Sequence, residues 1–311
     1  CRYDETLTAV INRMDPSDST LTYQWYSNTS ASTTGGTVIS GATKQTYKIG
    51  KGLVGKYIYV VVTASRTNYN TNTFAALAPN GPVQKITVTK PTISGTYTYN
   101  GKTQYVTINN PNTSLVNVTG NSAIDAGKYT VKFTLKDSAN YEWTDKTITA
   151  VEYPWEIKVK ELTVTWNPNT NPKVTYTYDA KEHAPTPSVT SGVEKETVNL
   201  SWNKEIVVGD YISTAQISSV TGGQAKKSNY TLKNNTKPFE IIHAPSKINP
   251  NPASLLELVE GTTKTISFTY NGDGVLSAKS SDTSKATVSI DTSKKVVSVT
   301  GVSNGKKPNF S

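Results

Sequence analysis

Cysteine, methionine and histidine are almost missing from this chain. Of its 311 residues one is cysteine, Cys1, so no disulfide can close within the sequence and core packing must hold it together. The two histidines, His183 and His243, belong to no ligand-spaced cluster and have no internal cysteine to join them. That argues against a His/Cys metal centre and against a histidine general base. The sequence contains no G-x-S-x-G elbow, no phosphate-binding glycine loop and no dinucleotide fingerprint. Charged residues make up only 18% and apolar residues only 35%. No apolar run reaches transmembrane length and there is no signal peptide; the expectation is that neither end is a natural start or a membrane anchor. Sustained helical periodicity is missing too. These exclusions leave a β-rich chain with no expected catalytic residue, cofactor or metal.

Threonine, serine, asparagine, valine and tyrosine (18 of them) fill the space. Thr, Val and Tyr suit a half-buried pleated surface, and Asn and Ser suit turns. Alternation with period two recurs. In "KYTVKFTLK", Tyr129, Val131, Phe133 and Leu135 share one face, and Lys128, Thr130, Lys132 and Thr134 the other. "KVTYTYD" does the same with Val174, Tyr176 and Tyr178, and "KTISFTY" with Ile266, Phe268 and Tyr270. Such segments predict antiparallel strands with one face in a core and one in water. Asn-Gly pairs at Asn80, Asn100, Asn271 and Asn304 supply tight hairpin turns. Short strands and turns at this spacing predict an all-β chain of sandwiches.

One phrase is written twice. "TYTYNGKTQ" begins at Thr96 and "TYTYDAKEH" at Thr175. After the first come "AGKYTV" (Gly127, Tyr129), "ANYEW" (Asn140, Tyr141) and "YPWEIKV" (Pro154 to Ile157). After the second come "VGDYIS" (Gly209, Tyr211), "SNYTL" (Asn229, Tyr230) and "KPFEII" (Pro238 to Ile241). Landmarks in one order with different spacers mark a duplicated module. The copies meet through "PWEIKVKELTVTW", which alternates without Pro or Gly from Glu156 to Trp166 and reads as one strand handing over to the next, a stiff joint.

Net charge is +9. It permits attraction to a polyanion such as an anionic cell-wall polymer. The competing reading places lysines on outward strand faces, where they blunt edges against pairing. Lysines spread singly, as at Lys128, Lys132 and Lys136, favour the second. Dense pairs occur only at Lys226–Lys227 and Lys306–Lys307, and no aromatic-basic platform accompanies them, so no specific nucleic-acid partner is expected.

Four modules result: 1–87, 88–159, 160–243 and 244–311. In the first, Trp25 lies in "LTYQWYSN", and "LVGKYIYVVV" follows with Tyr57 after Gly55. With "ISGAT" and "TNYN" these phrases resemble the disulfide-free immunoglobulin-like repeats of bacterial surface proteins. The resemblance implies that Trp25 is the core tryptophan of the third strand. It makes Tyr57 the corner tyrosine of the sixth, with Tyr59 at the position antibodies give to cysteine. It also implies that the first strand is missing. Modules two and three resemble Tyr-rich repeats found in tandem on Gram-positive surface proteins. The fourth, from "KINPNPASLLELVEGTTKTISF" through "SSDTSKATV" to "VTGVSNGK", resembles a group 2 bacterial immunoglobulin-like domain and implies a last strand cut short at Ser311.

The expected core is therefore Trp25, Tyr57, Tyr59, Tyr129, Phe133, Tyr176, Tyr178 and Phe268. Trp155 and Trp166 are read as packing near the joint of modules two and three, with sugar stacking as the functional alternative. Asp273 in "NGDGV" and Asp282 in "SSDTS" offer oxygens for calcium, against the plainer reading of aspartates that form turns. The resemblances imply a non-enzymatic, extracellular rod of tandem sandwiches: a stalk or fibre segment of a longer bacterial surface protein. Two rivals stand beside it. One is a module gripping a host glycan or protein, which an exposed aromatic cluster beside polar loops would support; the other is a component of a tailed-phage particle.

Overall fold

The computed structural model describes residues 1–302, except 191, 194, 224, 246–247, 252–257 and 271–274. The chain divides into two compact units, Cys1–Lys160 and Glu161–Ser311. Among the described residues it is all-β, with one short 3-10 turn at Lys227–Asn229 and no helix long and apolar enough to cross a membrane.

In the first unit, the strands between Thr6 and Leu77 form a sandwich. One sheet runs in the order Thr37–Val38, Thr20–Asn28, Tyr57–Ser65, Asn72–Leu77, all antiparallel. Against it lies a two-stranded sheet of Thr6–Thr8 and Thr46–Lys48. This is the strand arrangement of an immunoglobulin-like domain, with Trp25 on the third-strand equivalent. Trp25 is 3% exposed, sits opposite Val60, and donates its indole N–H to the Lys44 carbonyl at 2.9 Å. Ile58, Val60 and Val62 take the same face and close the core with Leu7, Ile49 and Val83.

Two four-stranded sheets share one strand order. Residues 88–159 carry a sheet in the order Val116–Thr119, Gly127–Leu135, Val151–Lys158, Tyr97–Thr98, the last pair parallel. In the second unit, Thr197–Trp202, Gly209–Thr221, Thr236–Ile242, Val174–Thr177 repeat that order, again with a parallel last pair. The registers coincide. Tyr129 pairs with Trp155 as Tyr211 pairs with Phe239, and Gly127 pairs with Ile157 as Gly209 pairs with Ile241. Tyr97 meets Ile157 as Tyr176 meets Ile241. The written phrase thus holds the same ladder positions in both copies. Lysine faces follow the alternation: Lys132 is exposed and bridges Glu152 across the strands at 2.9 Å, and Lys173 pairs with Asp210 and Glu240. Lys237 departs from it. It is buried on the face of Phe239, with Nζ on Asn169 Oδ1 (3.0 Å) and Asn171 Oδ1 (3.3 Å).

The last module is a four-stranded antiparallel sheet, Ile248–Asn251, Thr263–Tyr270, Val296–Gly301, Ala286–Asp291, with Phe268 buried.

Candidate functional site

The groups that offer chemistry are dispersed. His183 donates its Nε2–H to Asp179 Oδ1 (2.7 Å) and stacks on Tyr176 at 4.8 Å, an arrangement that packs the ring. His243 is exposed at the end of the Thr236–Ile242 segment. Asp282 accepts from the backbone N–H and hydroxyl of Ser284, which holds its carboxyl below the usual range and makes it a turn-former. Asp273, Asn271–Gly272, Asn304–Gly305 and Lys306–Lys307 lie outside the described residues. Among the described residues no group of three His, Cys, Asp or Glu side chains converges as a metal site.

Of the aromatic residues singled out from sequence, Trp25, Tyr59, Phe133 and Phe268 are buried, and Tyr57, Tyr129, Tyr176 and Tyr178 half-buried. Tyr59 pairs with Tyr26, one residue out of phase with Trp25, so Tyr57 and Tyr59 lie on the sheet face opposite the Trp25 core. Tyr59 stacks on Tyr26 there at 4.9 Å. Among the described residues Tyr57 makes no hydroxyl hydrogen bond, whereas Tyr129 donates to the Asp125 carbonyl (2.8 Å) and Tyr211 to that of Val207 (2.9 Å). Trp155 and Trp166 are 7% and 8% exposed. Trp155 packs between Tyr97 and Tyr129 and donates to the Gly120 carbonyl; Trp166 packs with Val164 and Ala215 and donates to that of Asn234. Neither ring offers a free face to a sugar.

What the structure does bring together is a joint within the first unit. Right after the Gln84 bridge of module one, the strand Ile86–Val88 opens module two by pairing in parallel with Tyr141–Trp143, as Lys160–Asn167 pairs with Tyr230–Lys233 in the third module. The Ile86 N–H donates to the Asn140 carbonyl (3.0 Å) and the Thr144 N–H to that of Val88 (3.0 Å). Val88 and Trp143 are buried on the shared face. Around this ladder the turn 137–141 docks on module one. Tyr141 meets Tyr3 edge to face at 5.6 Å, Lys85 Nζ donates to the Ser138 carbonyl (2.6 Å), and Lys51 lies 3.8 Å from Asp137. Asp137 also holds the buried Asn140, whose amide it accepts at 2.8 Å; that bond is the main cause of its lowered pKa. Burial pushes the Tyr141 hydroxyl up. The sequence marks Asn140 and Tyr141 as repeat landmarks, but nothing in it singles out Tyr3, Lys51 or Lys85, because their partners are distant in the chain.

No family model and no curated protein matches the chain. Solved structures similar to it include the N-terminal four Ig domains of Dscam1 isoform 6.44, with 8% identity, 91% of this chain and 85% of that one covered, and a TM-score of 0.19. Sidekick-1 immunoglobulin domains 1–4 match with 13% identity, 91% and 83% coverage and a TM-score of 0.17. SGBP-B of the Bacteroides ovatus mixed-linkage glucan utilization locus, solved with a mixed-linkage heptasaccharide, matches with 11% identity, 79% and 66% coverage and a TM-score of 0.18. At these values none of them carries an argument about what this chain does.

Proposed function

We propose that this chain is a non-enzymatic spacer: consecutive immunoglobulin-like sandwiches set end to end as a rod, forming a stalk or fibre segment of a longer bacterial surface protein. The observation that carries this reading is the joint at Ile86–Val88. Module one is still bridged at Gln84, and from Ile86 the chain is already hydrogen-bonded within module two, with Val88 buried, so no free spacer separates them. A Gly/Ser linker would leave the two free to reorient; a paired strand does not. Duplication at identical register supports the same reading, because an array lengthens by copying a module together with its turns. Outward lysines matched by acids across the strand favour a solvated, non-sticking surface over a polyanion site.

Small-angle scattering on the purified chain tests it. Strands of nine residues at ~3.3 Å each give a domain of about 30 Å, so four in line span on the order of 100–140 Å. A maximum dimension below about 70 Å, with a radius of gyration near the ~20 Å of a compact globule of this length, would reject the spacer.

A further inference from the structure

Both copies of the repeated sheet take the chain in at one end and release it at the other. In module three the strand Gly209–Thr221 spans the distance, 13 residues at ~3.3 Å each, or about 40 Å. Ile241 opposes Gly209 at one end, so the chain leaves there through Ile242. At the other end Thr197 opposes Thr221. Glu196, the residue before Thr197, accepts from the Tyr230 hydroxyl (2.6 Å), and the Val193 N–H donates to that same hydroxyl oxygen (3.0 Å). Lys160–Asn167 runs antiparallel to Thr186–Val189, with Val164 opposite Val189. Its beginning therefore points toward Val193 and the Thr221 end, and the chain enters there.

The strands that link entry to exit are paired in parallel. Val174–Thr177 lies along Thr236–Ile242 over four pairs, from Val174 opposite Phe239 to Thr177 opposite Ile242. The Tyr178 N–H adds a bond to the Ile242 carbonyl (3.0 Å). Beneath this ladder Val174, Phe239 and Ile241 are buried. Module two has the same plan. Its entry strand Ile86–Val88 is parallel to Tyr141–Trp143, and Tyr97–Thr98 is parallel to the Ile157 end of Val151–Lys158. There the Tyr99 N–H donates to the Lys158 carbonyl (2.9 Å).

Strand direction decides how such a ladder meets a pull along the chain. In an antiparallel hairpin the two free ends lie together, and drawing them apart opens one bond at a time. In a parallel pair the beginning of one strand and the end of the other lie at opposite ends of the ladder. Tension from entry and exit draws those strands past each other and loads every bond at once. A slip of one residue also turns each side chain to the wrong face, so the burial of Val174, Phe239 and Ile241 resists it as well.

We propose that each copy is a tension clamp. It bears a pull along the chain in shear, across Val174–Thr177 on Thr236–Ile242 in module three and Tyr97–Thr98 on Val151–Lys158 in module two. The spacer thereby carries load as well as holding distance. The inference takes its setting from the spacer reading and its geometry from the two ladders.

Single-molecule pulling on the whole chain, in a Cys1→Ser background, tests it by direction. One version carries Glu161→Cys and His243→Cys as handles and loads module three from entry to exit. The other carries Lys181→Cys and His243→Cys, both beyond the Thr177 end of the ladder, and opens that same ladder from one end. All three positions are exposed. Equal urea midpoints establish that the two versions share one stability. At one loading rate the first should then rupture at a force at least about twice that of the second, because forced unfolding follows the barrier along the pulled path. Equal rupture forces in the two directions, or peeling of Lys160–Asn167 that carries into the ladder at the lower force, would overturn the clamp and leave the rod standing. A compact chain in scattering would remove the spacer and leave the directional difference intact.

Discussion

Gly-x-Tyr is the smallest unit that explains why the repeat keeps its wording. At Tyr129 and Tyr211 the hydroxyl reaches back to a carbonyl four residues upstream, and the ring lies over the glycine two residues before it. A Cβ on Gly209 would stand 2.9 Å from the Tyr211 hydroxyl, closer than real contacts come. Tyr129→Phe and Tyr211→Phe should each lower stability by about 1 kcal/mol, the net worth of one hydrogen bond, read as a shift in urea midpoint at unchanged slope. Tyr57→Phe, with no such bond to lose, should leave the midpoint in place; an equal drop there would show that the hydroxyl bond is not what the tyrosine is kept for. Asp137 gives a second expectation. Its pKa is lowered from the ordinary 3.8, so its contribution is complete above that value and is lost as pH falls through the folded-state one. The docked turn should hold from about pH 8 down to about pH 4 and loosen below. Exchange of the Ile86 amide, corrected for intrinsic rate, reports it; protection that is the same at about pH 3 as at pH 7 would contradict the assignment.

Strands were legible where alternation was clean, and their partners were not. "KYTVKFTLK" reads as a one-sided strand and is one, with Val131 and Phe133 fully buried and Lys128 and Lys132 outside. The continuous alternation of "VQKITVTKP" predicts a stiff exit from module one, but its pairing with Tyr141–Trp143 could not be read, since a parallel partner more than fifty residues away leaves no local trace. Trp155 and Trp166 show the same limit: spacing puts each on a strand face, while burial depends on Tyr97, Tyr129 and Ala215 arriving from elsewhere. Phe74 is the converse, an exposed side chain at an inward position, opposite the buried Val62. The joint itself can be broken at one residue. Ile86→Pro removes the donor to Asn140 and cannot sit within a paired strand. Thermolysin, which cleaves before apolar residues, should then cut the Thr87–Val88 bond in the variant well before it cuts the parent chain; equal rates of cleavage would mean that the ladder does not restrain this segment.

For the molecule as a whole, the spacer reading depends on fixed joints more than on any single core. Each module buries little on its own, so a joint without spacer, braced by Tyr3 on Tyr141 and Lys85 on Ser138, adds order where small domains are weakest. The most direct measurement places spin labels at the exposed positions Lys44 and Thr113, one in each of the first two modules, in a Cys1→Ser background, and determines their distance distribution by pulsed dipolar spectroscopy. The account predicts one narrow distribution that broadens when Tyr141→Ala and Lys85→Ala remove the contacts flanking the ladder. A broad distribution in the unaltered joint would contradict it.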